Sequence, residues 1–298
     1  MSKLQTDHAF VQPRSSHVVC LSPAGLHRMA YTEWGDPANP RVLICAHGLT
    51  RCGRDFDVLA QRLSSDYRVV CPDVAGRGLS DWLANPASYV LPQYVADMVT
   101  LIARLGVETV DWFGTSMGGL IGLSLAGLPN TPITRLLLND IGPHLDPEAL
   151  ERIVAYLGQP VSFKSEQEGI DYLAAVALSF GPHTPEQWRA LNGPLLVERD
   201  GAWHVRYDPQ VSAAFSTATP ELMAAGEAAL WQLLENFNGP TLVVRGAESD
   251  LLSRDTVGLM KQRGKHISSV EINGVGHAPT FVPDDQIRIA EAFFLGSH

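Results

Sequence analysis

The 298-residue chain has no run of about 18 consecutive apolar residues, which argues against a membrane-spanning helix. It is short of basic charge: 22 Lys and Arg stand against 32 Asp and Glu, a net charge of −10. No basic cluster offsets that balance, so a nucleic-acid backbone is excluded as a partner. Cysteine is sparse, and none of Cys20, Cys45, Cys52 and Cys71 forms a CxxC pair. A zinc ribbon or redox motif therefore has no support, and the thiols read as shielded groups in a reducing compartment. The opening MSKLQTDHAFVQPRSS lacks the apolar core of a signal peptide, so the expected location is cytoplasmic. Internal repeats and low-complexity tracts are also absent.

What is present is an ordinary globular composition, with 45% apolar and 18% charged residues. A chain of this size buries roughly three quarters of its unfolded surface, so its core needs no disulfide or metal. Residues 1–16 are polar and aperiodic and read as a loose arm. Short apolar runs then alternate with helical patterns, which implies a mostly parallel sheet with helices on both faces.

The expected strands are His17–Leu21, Leu26–Trp34, Val42–Ala46, Tyr67–Cys71, Val107–Phe113, Arg135–Asn139, Thr241–Arg245 and Ile267–Ile272. The first two form an antiparallel pair around Ser22–Gly25. Helical spacing marks 56–63, 94–105, 117–128, 256–263 and 284–295. Between 141 and 237 the style changes to helical segments near 147–157, 165–179 and 221–236, plus a hairpin around Asp200-Gly201. The chain thus divides into a core of 17–140 and 238–298 and a mainly helical insertion of 141–237.

The decisive stretch is Val110-Asp-Trp-Phe-Gly-Thr-Ser-Met-Gly-Gly119. Its Gly114-x-Ser116-x-Gly118 follows an apolar strand and opens an apolar helix, the context of a nucleophile elbow. Glycines allow the tight strand-to-helix turn that lifts Ser116 above the sheet. They also leave the N–H of Met117 at a helix N-terminus, where partial positive charge favours an oxyanion.

A serine hydroxyl needs a base, and the base needs an orienting acid. His277 follows the last expected strand in a glycine-flanked loop, Asn273-Gly-Val-Gly-His-Ala-Pro279. Three carboxylates compete for the acid: Asp250 ranks first, Asp140 second and Glu248 third. Ser116, Asp250 and His277 follow the chain order such an elbow expects. A second oxyanion donor is expected in His47-Gly48-Leu49-Thr50, where Gly48 lets the N–H of Leu49 approach. His47 reads as a loop brace. Arg51 and Arg54 follow it, and Arg51 is a candidate contact for a substrate carboxylate. Asp73-Val-Ala-Gly-Arg-Gly-Leu-Ser80 reads as a structural turn, since it lacks the spacing of a phosphate or dinucleotide loop.

His47-Gly48, Asp73-x-x-Gly76-x-Gly78-x-Ser80, Gly114-x-Ser116-x-Gly118-Gly119, Asp250 and Gly276-His277 together resemble the α/β-hydrolase fold superfamily, serine carboxylesterase type with a helical cap. The likeness runs from about Val18 to Leu295. It implies an eight-stranded, mostly parallel sheet with the cap inserted after the sixth strand, and neither cofactor nor metal. Dehalogenases of the superfamily carry an aspartate at the elbow, where this chain has Ser116.

The expected reaction is acyl transfer on carboxylic esters of small to medium, partly apolar acids or hydroxy acids. Tyr156, Phe163, Tyr172, Phe180, Trp188, Phe215, Met223 and Trp231 of the insertion supply apolar surface, most of it as the cap's own core. Two rivals stand. A C–C bond hydrolase of diketone-like substrates would consume a ring-fission product. A non-catalytic binding module would bind without turnover or covalent labelling. The cap and the sheet edges are the surfaces open to a homo-oligomer.

Overall fold

The computed structural model describes residues 12–213 and 219–296. Five strands interleave with helices in the first half: β1 (Arg14–Ser22), β2 (Gly25–Trp34), β3 (Val42–Ala46), α1 (Asp57–Leu63), β4 (Arg68–Pro72), α2 (Leu91–Leu105) and β5 (Val110–Thr115). Then come α3 (Met117–Ala126) and β6 (Ile133–Asn139). After an inserted segment, the chain closes with β10 (Thr241–Gly246), α8 (Arg254–Arg263), β11 (Ile267–Ile272) and α9 (Asp284–Leu295). The eight strands form one sheet in the order β1-β2-β4-β3-β5-β6-β10-β11. Only β1–β2 and β2–β4 are antiparallel; every other pairing is parallel. This is the expected α/β-hydrolase sheet.

Strand alternation divides the core into two layers. On β3, Val42, Ile44 and Ala46 join one cluster, while Leu43 and Cys45 join the other. The first cluster holds the buried faces of α2, α3 and α8, and the second holds those of α1 and α9. The central strands are buried on both faces, which is why they read as continuous apolar runs.

β1 starts earlier than expected. Arg14, Ser15 and Ser16 already pair with Glu33, Thr32 and Tyr31, so the end of the supposed arm is strand. Its polar, solvent-facing residues hid it, because an edge strand needs few apolar side chains. Glu33 anchors this edge between Arg14 and Arg68. Burial pushes its carboxyl up, but the hydrogen bonds and charges of the two guanidinium groups outweigh that and hold it below the ordinary value.

The segment between β6 and β10 contains α4 (Pro147–Tyr156), β7 (Ser162–Phe163), α5 (Glu166–Val176), α6 (Pro185–Asn192), β8 (Leu196–Arg199), β9 (Ala202–Val205) and α7 (Pro220–Asn236). The β8–β9 hairpin turns at Asp200-Gly201, as expected, and β7 adds to it as a third antiparallel strand. Helix α6 was not foreseen, although Thr184-Pro-Glu-Gln187 spells its start. Thr184 and Gln187 form a reciprocal capping box, with Pro185 at the first helical position. The segment has a small cluster of its own in Phe163, Ile170 and Leu196. Leu230, Trp231 and Leu234 of α7 instead join the core cluster. Among the described residues no helix is long and apolar enough to cross a membrane.

Candidate active site

The site lies beyond the carboxyl ends of β3, β5, β6, β10 and β11. In a parallel sheet that edge gathers the loops and leaves helix N-termini free. Ser116 follows β5 and precedes α3, with φ at 50° and ψ at −116°, a conformation L residues rarely adopt. The turn closes only because its neighbours lack side chains. A Cβ on Gly114 would meet the carbonyl of Gly118, and one on Gly118 would meet the carbonyl of Ala46. Trp112 Nε1 donates to the Gly118 carbonyl at 3.0 Å, and the N–H of Ser116 donates to Asn139 at 3.0 Å. The elbow is thus fixed from the β3, β5 and β6 sides.

His277 reaches Ser116 from the loop after β11. Its Nε2 lies 3.0 Å from Ser116 Oγ, and its Nδ1 lies 2.7 Å from Oδ2 of Asp140. The carboxylate can only accept here, so Nδ1 carries the proton and Nε2 faces the hydroxyl as an acceptor. Asp140 is wholly buried immediately past β6, with φ at 54°. Its Oδ1 accepts the N–H of Gly246 at 2.8 Å, and its Oδ2 also accepts the hydroxyl of Ser249 at 2.6 Å. Three donors converge on one buried carboxylate and fix its plane.

The structure thus corrects the expected acid. Asp250 does not touch His277. It is exposed and pairs with the exposed Arg152 of α4. Asp250 sits four residues past the end of β10, and by then the loop has turned outward. Ser249 takes the inward place and bonds Asp140. Glu248 is exposed as well. Sequence reasoning ranked Asp140 second and missed Ser249. The available signal was position, since Asp140 is the first residue past a fully buried strand end.

Leu49 and Met117 flank the serine as expected. A Cβ added to Gly48 would lie 3.8 Å from the Cβ of Ser116, and Met117 is the first residue of α3. Among the described residues neither N–H has a protein acceptor, so both are free to donate. His47 is fully buried: its Nδ1 donates to the Gly48 carbonyl at 2.7 Å and its Nε2 accepts the N–H of Val74 at 3.0 Å. Burial pushes its pKa down to about 3, against the pull of the Gly48 carbonyl and with help from the charges of Arg77 and Arg51. His47 is therefore a neutral brace.

The Asp73–Ser80 turn does more than brace itself. Arg77 is fully buried and, among the described residues, pairs with no carboxylate. Its Nε donates to the Leu49 carbonyl at 2.8 Å and its Nη1 to Ala75 and the Tyr94 hydroxyl at 2.7 and 2.9 Å. Its Nη2 lies 3.7 Å from the sulfur of Met117. One guanidinium thereby ties the loop after β3 to the start of α3. Asp73 accepts from the N–H groups of Gly53 and Leu79, at 2.7 and 2.8 Å.

A cavity of about 400 Å³ opens over Ser116 and His277. The core contributes Leu49, Thr50 and Arg51 to its wall, and the inserted segment contributes Tyr172, Leu173, Val176 and Phe180. Of the expected aromatic residues, Tyr172 and Phe180 line it, Trp188 backs Phe180, Phe163 is in the small cluster, and Trp231 is in the core. Met223 is exposed, and Phe215 lies outside the described residues. Arg51 lines the cavity with most of its donors engaged. It pairs with Asp55 at 2.7 Å and bonds Asn192 Oδ1 and the Leu191 carbonyl of α6 at 3.0 and 2.9 Å. Arg54 turns away and pairs with Asp57.

Cys20, His27 and Asp97 meet in a buried group whose ligand-type atoms lie within 4.8 Å of one another. His27 Nε2 bonds Asp97 at 3.0 Å and Gln93 bonds it at 2.8 Å. Burial and the nearby Asp97 raise the Cys20 thiol to about 12, so the thiol stays protonated, and the group braces the β1–β2 hairpin against α2.

Comparison with known proteins identifies the family. The model of the Alpha/beta hydrolase family matches residues 43–290. A 3-hydroxybutyrate-oligomer hydrolase from Cupriavidus necator is 65% identical over 96% of this chain and 99% of its own length. Among solved structures, an alpha/beta hydrolase from Novosphingobium aromaticivorans superposes with a TM-score of 0.82 at 33% identity, covering 96% of this chain and 99% of that one. A structure from Rickettsia typhi superposes with a TM-score of 0.85 at 29% identity, covering 96% and 100%.

Proposed function

The chain belongs to the alpha/beta hydrolase family and is a hydrolase, and from that premise we propose that it is a serine esterase acting on short oligomers of 3-hydroxybutyrate or similar hydroxy acids. The observation that carries the reaction type is the relay Ser116–His277–Asp140 at the floor of the cavity. The substrate class rests on likeness to the Cupriavidus necator relative. The insertion acts as the cap over that cavity.

Ser116 Oγ attacks the ester carbonyl while His277 Nε2 takes its proton. Asp140 holds the ring and stabilises the imidazolium. The N–H groups of Leu49 and Met117 receive the oxyanion of the tetrahedral intermediate. The C–O bond to the leaving alcohol then breaks, and His277 returns the proton to that oxygen. Water attacks the acyl-enzyme with His277 again as base, releasing the acid and the Ser116 hydroxyl. Each linkage of such an oligomer joins a carboxyl to a secondary alcohol, and a methyl branch sits at every unit. The cavity answers that mixture with an aliphatic and aromatic wall from the insertion and polar groups from the core. Arg51, at the core edge, is the group we assign to contacting the substrate's free carboxylate, through the one Nη1 hydrogen that Asp55, Asn192 and Leu191 leave unengaged.

Chromatography of a 3-hydroxybutyrate trimer incubated with the protein tests the substrate class. Monomer and dimer are the expected products. Turnover of short p-nitrophenyl esters with an intact trimer would keep the serine esterase and overturn its substrate.

A further inference from the structure

Among the described residues, the backbone of the loop that carries His277 is hydrogen-bonded to the core near its two ends. The carbonyl of Val275 accepts the N–H of Glu248 at 2.9 Å, and the carbonyl of Pro279 accepts Asn139 Nδ2 at 2.7 Å. The middle of the loop is held from the other side. The N–H of Gly276 donates to the Ser179 carbonyl at 2.6 Å, and the Ser179 hydroxyl donates to the carbonyl of His277 itself at 2.7 Å. Three residues further, His183 Nε2 lies 2.8 Å from the Thr280 hydroxyl. Ser179 and His183 belong to the inserted segment, in the connection between α5 and α6.

The fit is close. A Cβ on Gly276 would approach the Ser179 Cβ to 3.1 Å, so glycine is what lets the two backbones meet. His183 is fixed as well: its Nδ1 donates to the Gly181 carbonyl at 3.0 Å, leaving Nε2 to accept the Thr280 hydroxyl. Behind it, Trp188 packs on both His183 and Phe180, at 4.6 and 6.5 Å between ring centroids.

We propose that Ser179 is a positioning residue, supported by His183: the inserted segment holds the His277 backbone, so the base is aligned with Ser116 only while that segment is seated. This rests on the serine-esterase reading above. A misplacement of about 1 Å at a reacting group can cost about a hundredfold in rate, so a tie on the base's own carbonyl has leverage on kcat. The same segment lines the cavity, so a substrate that packs beneath it strengthens the tie it needs.

The test compares wild type with Ser179→Ala, Ser179→Thr and His183→Gln. Ester turnover, the rate of labelling by a small fluorophosphonate and the melting temperature are measured for each. Ser179 is exposed, so its removal leaves the fold intact. The expected result for Ser179→Ala is a kcat and a labelling rate about 10-fold lower, with KM within about 2-fold and an unchanged melting temperature. Ser179→Thr keeps the hydroxyl and restores most of the rate, and His183→Gln gives a smaller loss of the same kind. The proposal is overturned if Ser179→Ala labels and turns over like wild type. It is equally overturned if only KM rises, since Ser179 would then be a substrate contact. Failure of wild type itself to label at Ser116 would instead remove the serine-esterase reading.

Discussion

At the residue scale the account turns on one carboxylate. Asp140 is buried and bonded to the ring of His277, whereas Asp250 is exposed and bonded to Arg152. Asp140→Asn should lower kcat by about 10³–10⁴, because the amide favours the wrong imidazole tautomer. Asp250→Asn should stay within about 5-fold of wild type, the worth of an exposed pair. Parallel ester assays on the two purified variants decide it. Both acids follow strands, and chain order cannot tell which one points inward. That depends on how far the loop travels before it turns, which only the fold settles. Ser116 and His277 were legible because glycine spacing marks the tight turns on which they ride.

His47 gives a second prediction at this scale. Its folded pKa is depressed to about 3, below the value of about 6.5 in an unfolded chain. Between those values the unfolded state binds a proton that the folded state refuses. The stability it contributes is therefore full above about pH 6.5 and is lost as pH falls toward 3, at up to about 1.4 kcal/mol per pH unit. Urea unfolding from pH 7 to 4 should show that slope, and His47→Asn should flatten it. An unchanged slope in the variant would place the titration elsewhere.

At the element scale the elbow is the most constrained feature. Ser116 keeps its unusual backbone because β3, β5 and α3 converge on glycines. Gly118→Ala should drive a methyl group into the Ala46 carbonyl and destabilise the fold by about 3 kcal/mol or more. The urea midpoint measures it, and a midpoint equal to wild type would mean that the turn is slacker than described. Elements were legible where one physical signal dominated. β3 is a continuous apolar run because both its faces are covered. α6 was missed because its apolar face is short, and its capping box was the better clue. The start of β1 was missed because a solvent-facing edge strand need not alternate. Arg77 was read as part of a passive turn, since sequence gives no sign that a lone arginine will be buried against Leu49 and Met117.

At the scale of the whole molecule, Arg51 is one of the groups that bind the inserted segment to the core beside the site, reaching from the loop after β3 to Asn192 and Leu191. Arg51→Met leaves Asp55 without its partner and cuts the link to α6. We expect a loss of about 2–3 kcal/mol in stability and faster amide exchange in Pro185–Asn192 than in the central strands. Exchange that rises evenly across the sheet would show instead that core and insertion unfold as one unit. The architecture of the sheet was readable from the alternation of runs and helical patterns. The cavity was not, because its wall is assembled from segments that lie far apart in the chain.

The most direct test of the central claim follows release of 3-hydroxybutyrate from the trimer by wild type, by Ser116→Ala and by wild type labelled to completion with a fluorophosphonate. The account predicts turnover by wild type, a single label on the peptide containing Ser116, and no release above background from the variant or the labelled protein. Continued release by Ser116→Ala, or a fully labelled protein that still cleaves the trimer, would contradict it.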